Sequence, residues 1–279
     1  MLVLLISTAI SAALVITTIA TQTDSGTTIF SGLAGFFIPL FLIGFLVRKK
    51  ITSVQNELQD IMQRGQQRMN RKIQQFQSKP GGNIKVMQRQ IEEGQKVIIQ
   101  EALGFIPRLE PFKKWTFTMH RQIATMRLQF LYQLKEFEQV DALLATAGLF
   151  KGPMMMEPMA IAMKMARQYK NNNFDAAEKT FKRHIRWFRG DRGTLLYGLM
   201  SWIFIKQGES EKARQLLNKA KDATGNQTLA ANWQVLSNCK EKNFSNAGLG
   251  DEWYGLYLEK PAMPKQQRMR GDARGGRRF

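Results

Sequence analysis

Two long apolar runs near the N-terminus constrain this chain more than any other feature. They cover residues 2–20 and 29–47, and neither contains a charged residue. About 20 apolar residues in a helix are needed to cross a bilayer core roughly 30 Å thick. The pattern therefore predicts a transmembrane hairpin over residues 1–50, in which the polar stretch 21–28 connects two helices.

The positive charges predict the orientation of this hairpin. The connecting stretch contains Asp24 and no Lys or Arg, whereas Arg48, Lys49 and Lys50 directly follow the second run. Because Lys and Arg are retained on the cytoplasmic side, the chain after Arg48 is expected to be cytoplasmic. An alternative is that residues 1–20 form a cleaved signal peptide, although they lack the charged start of such peptides. The second run would still cross the membrane.

The interior of the two runs favours an anchor over a transport pathway. Neither run contains Asp, Glu, Lys, Arg or His, the residues that mark ion and proton routes. Gly32, Gly35 and Gly44 suit close contact between membrane helices. Their spacing is not that of a GxxxG pair, so a dimer seam is only a hypothesis.

The charge of the whole chain points to an acidic partner. The net charge is +19 and the isoelectric point is about 10.2. Lipid headgroups, nucleic acid and acidic proteins all fit such a charge. A single cysteine, Cys239, excludes an internal disulfide and is expected to be a buried thiol.

Residues 51–111 are predicted to form a basic amphipathic linker of two helices. Apolar residues at helical spacing begin at Ile51, and Pro80 with two following glycines interrupts the pattern before a second helix over 84–105. Between residues 48 and 89 there are ten basic residues and two acidic ones. The helices could form an antiparallel hairpin, a short coiled coil or a basic collar on the inner leaflet, and the charges could equally be a solvated face.

Residues 112–259 show a repeated pattern of helical hairpins. The clearest unit is 197–220, in which an aromatic helix leads through Gly208 into a second helix that contains Ala213. The same pattern occurs around Val140 and Ala177, and a degenerate fourth copy begins at Ala247. The anchor residues lie 37, 36 and 34 positions apart. Unrelated helical hairpins are the alternative reading.

This pattern resembles the tetratricopeptide repeat, whose period is about 34 residues. The arrangement of a membrane hairpin followed by repeats is similar to that of HemY-type inner-membrane proteins, although the long basic linker departs from it. The resemblance implies an α-solenoid in the cytoplasm, at the bacterial inner membrane. It also implies a concave groove that binds a protein partner with an acidic or amphipathic segment. The groove-facing residues would be Gln129, Tyr132, Gln133, Tyr169, Lys170, Trp202, Ile205, Lys206 and Lys240. In this register Lys170, Lys206 and Lys240 share one repeat position and form a ladder of positive charge.

No pattern in the sequence indicates an enzyme. The two histidines, His120 and His184, are far apart and have no Cys or acid at metal-ligand spacing. Phosphate-binding and nucleophile motifs are missing from the sequence. We therefore expect no catalytic residues, no metal and no cofactor.

The tail, residues 260–279, is predicted to be a disordered basic segment rich in Arg and Gly. With the linker it supports a second hypothesis, a membrane tether for RNA or ribosomes, beside the first hypothesis of a membrane-anchored scaffold. Contacts with nucleic acid or with the anionic lipid bilayer are expected at Arg48, Lys49, Lys50, Arg268, Arg270, Arg274, Arg277 and Arg278. A solubilising tail is the simpler alternative.

Overall fold

The structure is a computed structural model that describes residues 2–77, 84–116, 118–146 and 157–261. Within these ranges the chain is helical and has no strand, which confirms the predicted all-α class. The α-helices are α1 (Leu2–Ala20), α2 (Ser25–Gln77), α3 (Ile84–Phe105), α4 (Met119–Gln133), α5 (Phe137–Ala145), α6 (Pro158–Lys170), α7 (Phe174–His184), α8 (Thr194–Lys206), α9 (Ser210–Thr224), α10 (Gln227–Ser237) and α11 (Asp251–Tyr254). The 3₁₀ helices cover Ile106–Lys114, Ile185–Trp187, Gly190–Gly193, Glu241–Asn243 and Ala247–Leu249.

The chain divides into two compact units, Met1–Phe188 and Arg189–Phe279. This division differs from the boundaries at residues 50, 111 and 259 that the composition suggested.

The two apolar runs form α1 and the first half of α2, and both are long and apolar enough to cross a membrane. Asp24 begins α2, because its carboxylate accepts a hydrogen bond from the backbone N–H of Gly26 at 3.1 Å. The Ser11 hydroxyl donates to the carbonyl of Gly32 at 2.7 Å. A Cβ atom on Gly35 would lie 2.5 Å from Leu14 Cδ1. The glycines therefore allow α1 and α2 to pack closely.

Helix α2 continues from the apolar run to Gln77, so Lys50 does not mark the end of a helix. It packs against α3 in an antiparallel hairpin, one of the arrangements that the sequence left open. Arg68 pairs with Glu101, a Cβ on Gly65 would contact Ile98, and a Cβ on Gly94 would contact Met69. Residue numbers thus fall along α3 as they rise along α2. The predicted break at Pro80, Gly81 and Gly82 lies outside the described residues.

The predicted linker and helix α4 share one hydrophobic core. Ile51 and Leu58 of α2 pack with residues of α3, of the following 3₁₀ helix and of α4. The other buried members are Ala102, Phe105, Ile106, Leu109, Met119, Ile123 and Phe130. Residues 51–111 are therefore part of the first unit and not a spacer.

The turns that end α4, α6, α8 and α10 have the same geometry, which also occurs after α1 at Gln22. Their central residues adopt positive φ angles, 63° at Lys135, 56° at Asn172, 78° at Gly208 and 54° at Cys239. In each turn the next backbone N–H bonds to the carbonyl five residues earlier, as from Glu209 to Phe204. This is the Schellman arrangement. Because Cys239 occupies such a turn, its thiol is exposed and not buried as expected.

The first three anchor residues are buried and the fourth is not. Val140, Ala177 and Ala213 are fully buried at the contact between paired helices. Ala247 is exposed and lies in a 3₁₀ turn, so the helix expected to start there does not form. Gly250 follows with a φ angle of 66°, which a helix does not accommodate. The chain from residue 245 onward instead folds back over α8.

Candidate functional site

The predicted groove residues differ in how accessible they are. Gln133, Lys170, Lys206 and Lys240 are exposed, and Gln129, Tyr169 and Ile205 are half-buried. Tyr132 and Trp202 are 2 % and 4 % exposed, so their side chains belong to the interior. The first five of the predicted residues lie in the first unit, and Trp202 and those after it lie in the second.

In the first unit, aromatic side chains of consecutive helices pack against each other near the turns of the hairpins. The Tyr132 ring packs edge-on against Phe137 at 5.4 Å, and the Tyr169 ring contacts Phe174 at 5.6 Å. In both cases the last turn of one helix contacts the first residue of the next. Burial in this contact raises the pKa of Tyr169. These contacts stabilise the hairpins, and they leave the Tyr132 side chain buried and the Tyr169 side chain half-buried.

Lys240 does not occupy the same position as Lys170 and Lys206. Those two lysines end α6 and α8, two residues before a turn residue with positive φ. Lys240 follows its turn residue, Cys239, because α10 and its turn come earlier than a 34-residue step requires. The predicted ladder therefore has two lysines at an equivalent position.

One face of α8, formed by Gly198, Trp202 and Lys206, binds a segment of the same chain. We refer to these three residues as the α8 face and to residues 245–259 as the C-terminal segment. The Asn246 side chain donates to the carbonyl of Gly198 at 2.9 Å. A Cβ atom on Gly198 would lie 2.6 Å from Leu249 Cδ1, so a larger residue there would require the Leu249 side chain to move.

Two tryptophans on opposite sides of this contact hold one carboxylate. The Trp202 indole N–H donates to Glu259 Oε1 at 2.7 Å, and the Trp253 N–H donates to Oε2 of the same carboxylate at 2.9 Å. The two rings pack edge to face at 5.7 Å. Lys206 places its ammonium 5.2 Å from the centroid of the Trp202 ring. Indole N–H groups need a partner when they are buried, and one carboxylate here satisfies both.

Buried amides fix the start of the C-terminal segment. Asn232 of α10 donates to Asn246 at 3.0 Å and accepts from the backbone N–H of Ser245 at 3.1 Å. Asn232 and Asn246 are almost fully buried. Since unpaired buried amides are costly, this network specifies where the segment lies.

The predicted contacts with lipid or nucleic acid occupy two places. Arg48, Lys49 and Lys50 are exposed in α2, directly after its apolar part. Arg268, Arg270, Arg274, Arg277 and Arg278 lie outside the described residues. In α2 four further cations follow at Arg64, Arg68, Arg71 and Lys72.

Within the described ranges no group of three His, Cys, Asp or Glu side chains comes together as metal ligands. His184 is buried, and its Nδ1 lies 2.7 Å from the carbonyl oxygen of Thr180. This contact is typical of a histidine that packs inside a helix pair.

No family model, curated protein or solved structure matches this chain. The assignment of the residues that hold the C-terminal segment therefore depends only on the contacts described above. Sequence reasoning identified Trp202 but missed Trp253 and Glu259. A signal was present, because the stretch 251–259 combines three acidic residues with aromatic and aliphatic side chains in an otherwise basic chain.

Proposed function

We propose that this chain is a membrane-anchored scaffold whose α8 face binds an acidic, apolar segment of a protein partner. In this proposal residues 1–50 form the anchor, and the remainder lies on the cytoplasmic side. The partner segment takes the place of the C-terminal segment on α8.

The anchor is supported by the length and composition of α1 and of the first half of α2. Large side chains such as Phe30, Phe41 and Phe45 are about 70 % exposed along these helices. A bilayer would cover such a surface, whereas water would not favour it. The cations at residues 48–50 support the cytoplasmic orientation.

The binding proposal depends on the contact in which the indole N–H groups of Trp202 and Trp253 both donate to Glu259. We call this contact the clamp on Glu259. The α8 face already holds a segment with a carboxylate beside apolar side chains, which is the ligand chemistry that the sequence predicted for the partner. On α8 the indole N–H of Trp202 and the ammonium beside its ring favour a carboxylate, and the Trp202 ring supplies apolar contact. The second donor, Trp253, belongs to the C-terminal segment itself, so a partner segment has to supply an equivalent donor of its own. Tetratricopeptide-like binding through the inner helix of a hairpin is consistent with this arrangement.

A photo-cross-linking residue in place of Lys206 tests the proposal in intact membranes. The side chain of Lys206 is exposed beside the clamp. We expect a protein adduct of defined mass, and a larger amount of it when Glu259→Ala weakens the hold on the C-terminal segment. The same probe in place of Lys219, which is exposed on α9, is the matched control. Equal adducts at both positions would contradict the proposal.

A tether for RNA or ribosomes is a second candidate, favoured by the position of the basic residues of α2. Along a helix that rises 1.5 Å per residue, Arg64 and Lys72 lie about 24 and 36 Å beyond Arg48. Charges separated by more than about 10 Å are largely screened at physiological salt. These cations therefore do not contact lipid headgroups when α2 leaves the bilayer at Arg48, and they remain available to another anion.

The two candidates give opposite results in one purification. For the tether, RNA co-purifies with the solubilised chain and is lost at high salt or on deletion of residues 262–279. For the scaffold, reversing the charge of Lys206 on the α8 face removes a protein partner, whereas the tail deletion does not.

A further inference from the structure

A groove between α2 and α3 lies at the end of the hairpin farther from the apolar runs. It has a volume of about 780 Å³. Apolar side chains of both helices line it, among them Met69, Ile73, Met87, Ile91 and Val97. On the exposed side of α3, Val86 and Val97 are 44 % and 60 % exposed. Exposed valines beside an apolar groove indicate a surface that another molecule covers.

The two edges of the groove carry opposite charges. Arg71 lies on the α2 edge and Glu93 on the α3 edge. In the part of the chain that the structure describes, neither side chain forms an ion pair. Arg68, nearer the middle of this face, is already paired with Glu101 at 3.4 Å. The α2 edge thus keeps Arg71 and Lys72, and the α3 edge keeps Glu93, without an ion-pair partner among the described residues.

Arg71 and Glu93 lie at nearly the same level along the hairpin. Met69 of α2 is opposite Gly94 of α3. Because the helices are antiparallel, Arg71 and Glu93 are displaced from that pair toward the same end, by two residues and one residue. At 1.5 Å per residue the two levels differ by only about 1.5 Å.

Helical spacing places both residues on the same side of the hairpin as the exposed valines. Val86, Gln90, Glu93 and Val97 follow one face of α3, and Arg64, Arg68, Arg71 and Gln75 follow one face of α2. All of these except Val86 and Arg64 line the groove itself. The face therefore has a cationic α2 side and an apolar and acidic α3 side.

We propose that a second copy of this chain binds this groove and that the two hairpins form a four-helix bundle. The inference rests on the membrane anchoring proposed above. Two copies in one membrane have the same orientation, so a two-fold axis between them is parallel to the membrane normal. Rotation about this axis keeps each residue at the same height above the membrane. It therefore packs α2 of one copy against α3 of the other, with equivalent residues at the same height.

In that arrangement Arg71 of each copy meets Glu93 of the other, so the ion pair forms twice. The facing α2 helix covers Val86 and Val97, and the aliphatic parts of its arginine side chains contribute to this contact. The antiparallel contact between α2 of one copy and α3 of the other repeats the contact within each hairpin. Confinement to one membrane raises the effective concentration of the two copies, so that a face of this size is sufficient.

A pair of cysteines tests this geometry in native membranes. Arg71→Cys and Glu93→Cys are introduced together into the full chain, in a background where Cys239→Asn removes the exposed native thiol. Asn tolerates the positive φ of that turn, as Asn172 does in the equivalent one. The two positions lie on opposite edges within one copy and are adjacent only between copies. We expect an oxidised dimer from the double variant and none from either single variant.

Charge exchange is the second arm, which does not depend on disulfide formation. Arg71→Glu and Glu93→Arg should each lower the dimer fraction of the solubilised protein by roughly tenfold, because both ion pairs become repulsive. The exchange variant that carries both substitutions should restore it. The molar mass in detergent, measured by light scattering, gives the fraction, and Arg89→Glu on an exposed part of α3 is the control.

Three outcomes would overturn the inference. They are a double-cysteine variant that stays monomeric, a single variant that cross-links as well as the double one, and a cysteine adduct with a different protein. Alkaline extraction of the same membranes separates the two proposals. A chain that is extracted was never anchored, whereas an anchored chain without the dimer refutes the groove contact alone.

Discussion

Two antiparallel helix pairs in this chain differ in what covers their outer surface. The α8–α9 pair is followed by a segment that returns over α8 and ends in the clamp on Glu259. The α2–α3 pair is followed by a 3₁₀ helix that packs near Leu58 and leaves the far end of the groove open. One surface is therefore filled by the chain itself, whereas the other is left for another molecule.

The charges explain why the two surfaces differ. The α8 face presents the Trp202 N–H donor and the Lys206 cation, and the chain supplies the matching carboxylate from its own C-terminal segment. The α2–α3 groove presents Arg71 on one edge and Glu93 on the other, so it is complementary to itself and not to any one acidic segment. We therefore expect a partner segment to compete with the C-terminal segment for the α8 face. We expect a second copy of the chain to bind the α2–α3 groove.

The largest effect is expected on the covered surface. Trp202→Ala should destabilise the second unit by roughly 3–5 kcal/mol, because it leaves a cavity and removes a donor to Glu259. Amide hydrogen exchange of α8 to α11 measures this change. Trp187→Ala is the control, since that side chain is 48 % exposed. Equal effects of the two substitutions would show that the Trp202 contact contributes little.

On the open surface, the close contact at Gly65 is the most sensitive point. Gly65→Leu should cost about 1–3 kcal/mol, because a Cβ atom there already lies 2.6 Å from Ile98. Gly104→Ala is the matched control, since nothing lies within 4 Å of its Cβ position. Because alanine has a higher helix propensity than glycine, Gly104→Ala should stabilise the protein by up to about 1 kcal/mol. Thermal unfolding in detergent compares the two, and Ile98→Ala should partly rescue Gly65→Leu.

A contact within the first unit should give a smaller, pH-dependent effect. Arg167 donates two hydrogen bonds to Asp141, at 2.9 and 2.6 Å, and this lowers the pKa of Asp141 below its usual 3.8. A lowered pKa contributes stability above pH 3.8 that is lost as the pH falls through the lowered value. Asp141→Asn should therefore cost about 1 kcal/mol at pH 7, since the pair is partly exposed.

The same experiment at low pH supplies the control for Asp141→Asn. The free energies of unfolding of the wild type and the variant should converge once Asp141 is protonated. A difference that stays constant from pH 7 down to pH 2 would show that the charge of Asp141 contributes nothing.

The smallest effects are expected in the turns, which are alike in both units. Lys135→Gly should stabilise the first unit by up to about 1 kcal/mol, because glycine adopts the positive φ of 63° without strain. Gly208→Ala should destabilise the second unit by a similar amount for the opposite reason. Chemical denaturation of the two variants measures these changes. Effects of the same sign would contradict the equivalence of the turns.

Much of the fold followed from local patterns in the sequence. The spacing of Ile51 and Leu58 predicted a helix with one buried stripe, and the second linker helix was predicted at the residues where it occurs. Val140, Ala177 and Ala213 are buried where the repeat pattern placed them. These features depend on helical periodicity and on small residues at helix contacts, both of which are visible in the sequence.

The details of the candidate site depend on contacts between distant residues. Trp202 was expected to face a groove, but Trp253 and Glu259, more than 50 residues later, enclose it. Lys240 was aligned by counting a constant period, which fails because α10 and its turn come earlier than that period requires. The two-sided charge of the α2–α3 groove emerged only when the antiparallel register was known. The groove residues, the partner and the tetratricopeptide-like solenoid remain predictions.

The most direct test asks whether the α8 face accepts a segment from outside the chain. A peptide with the sequence of residues 245–261 is added to the full-length Glu259→Ala variant, which carries a photo-cross-linking residue in place of Lys206. We predict saturable labelling that is lost when Glu259 of the peptide is replaced by glutamine, and that persists when Glu252 is replaced instead. Absence of labelling, or equal labelling by the original peptide and its Glu259→Gln form, would contradict a carboxylate-selective binding surface on α8.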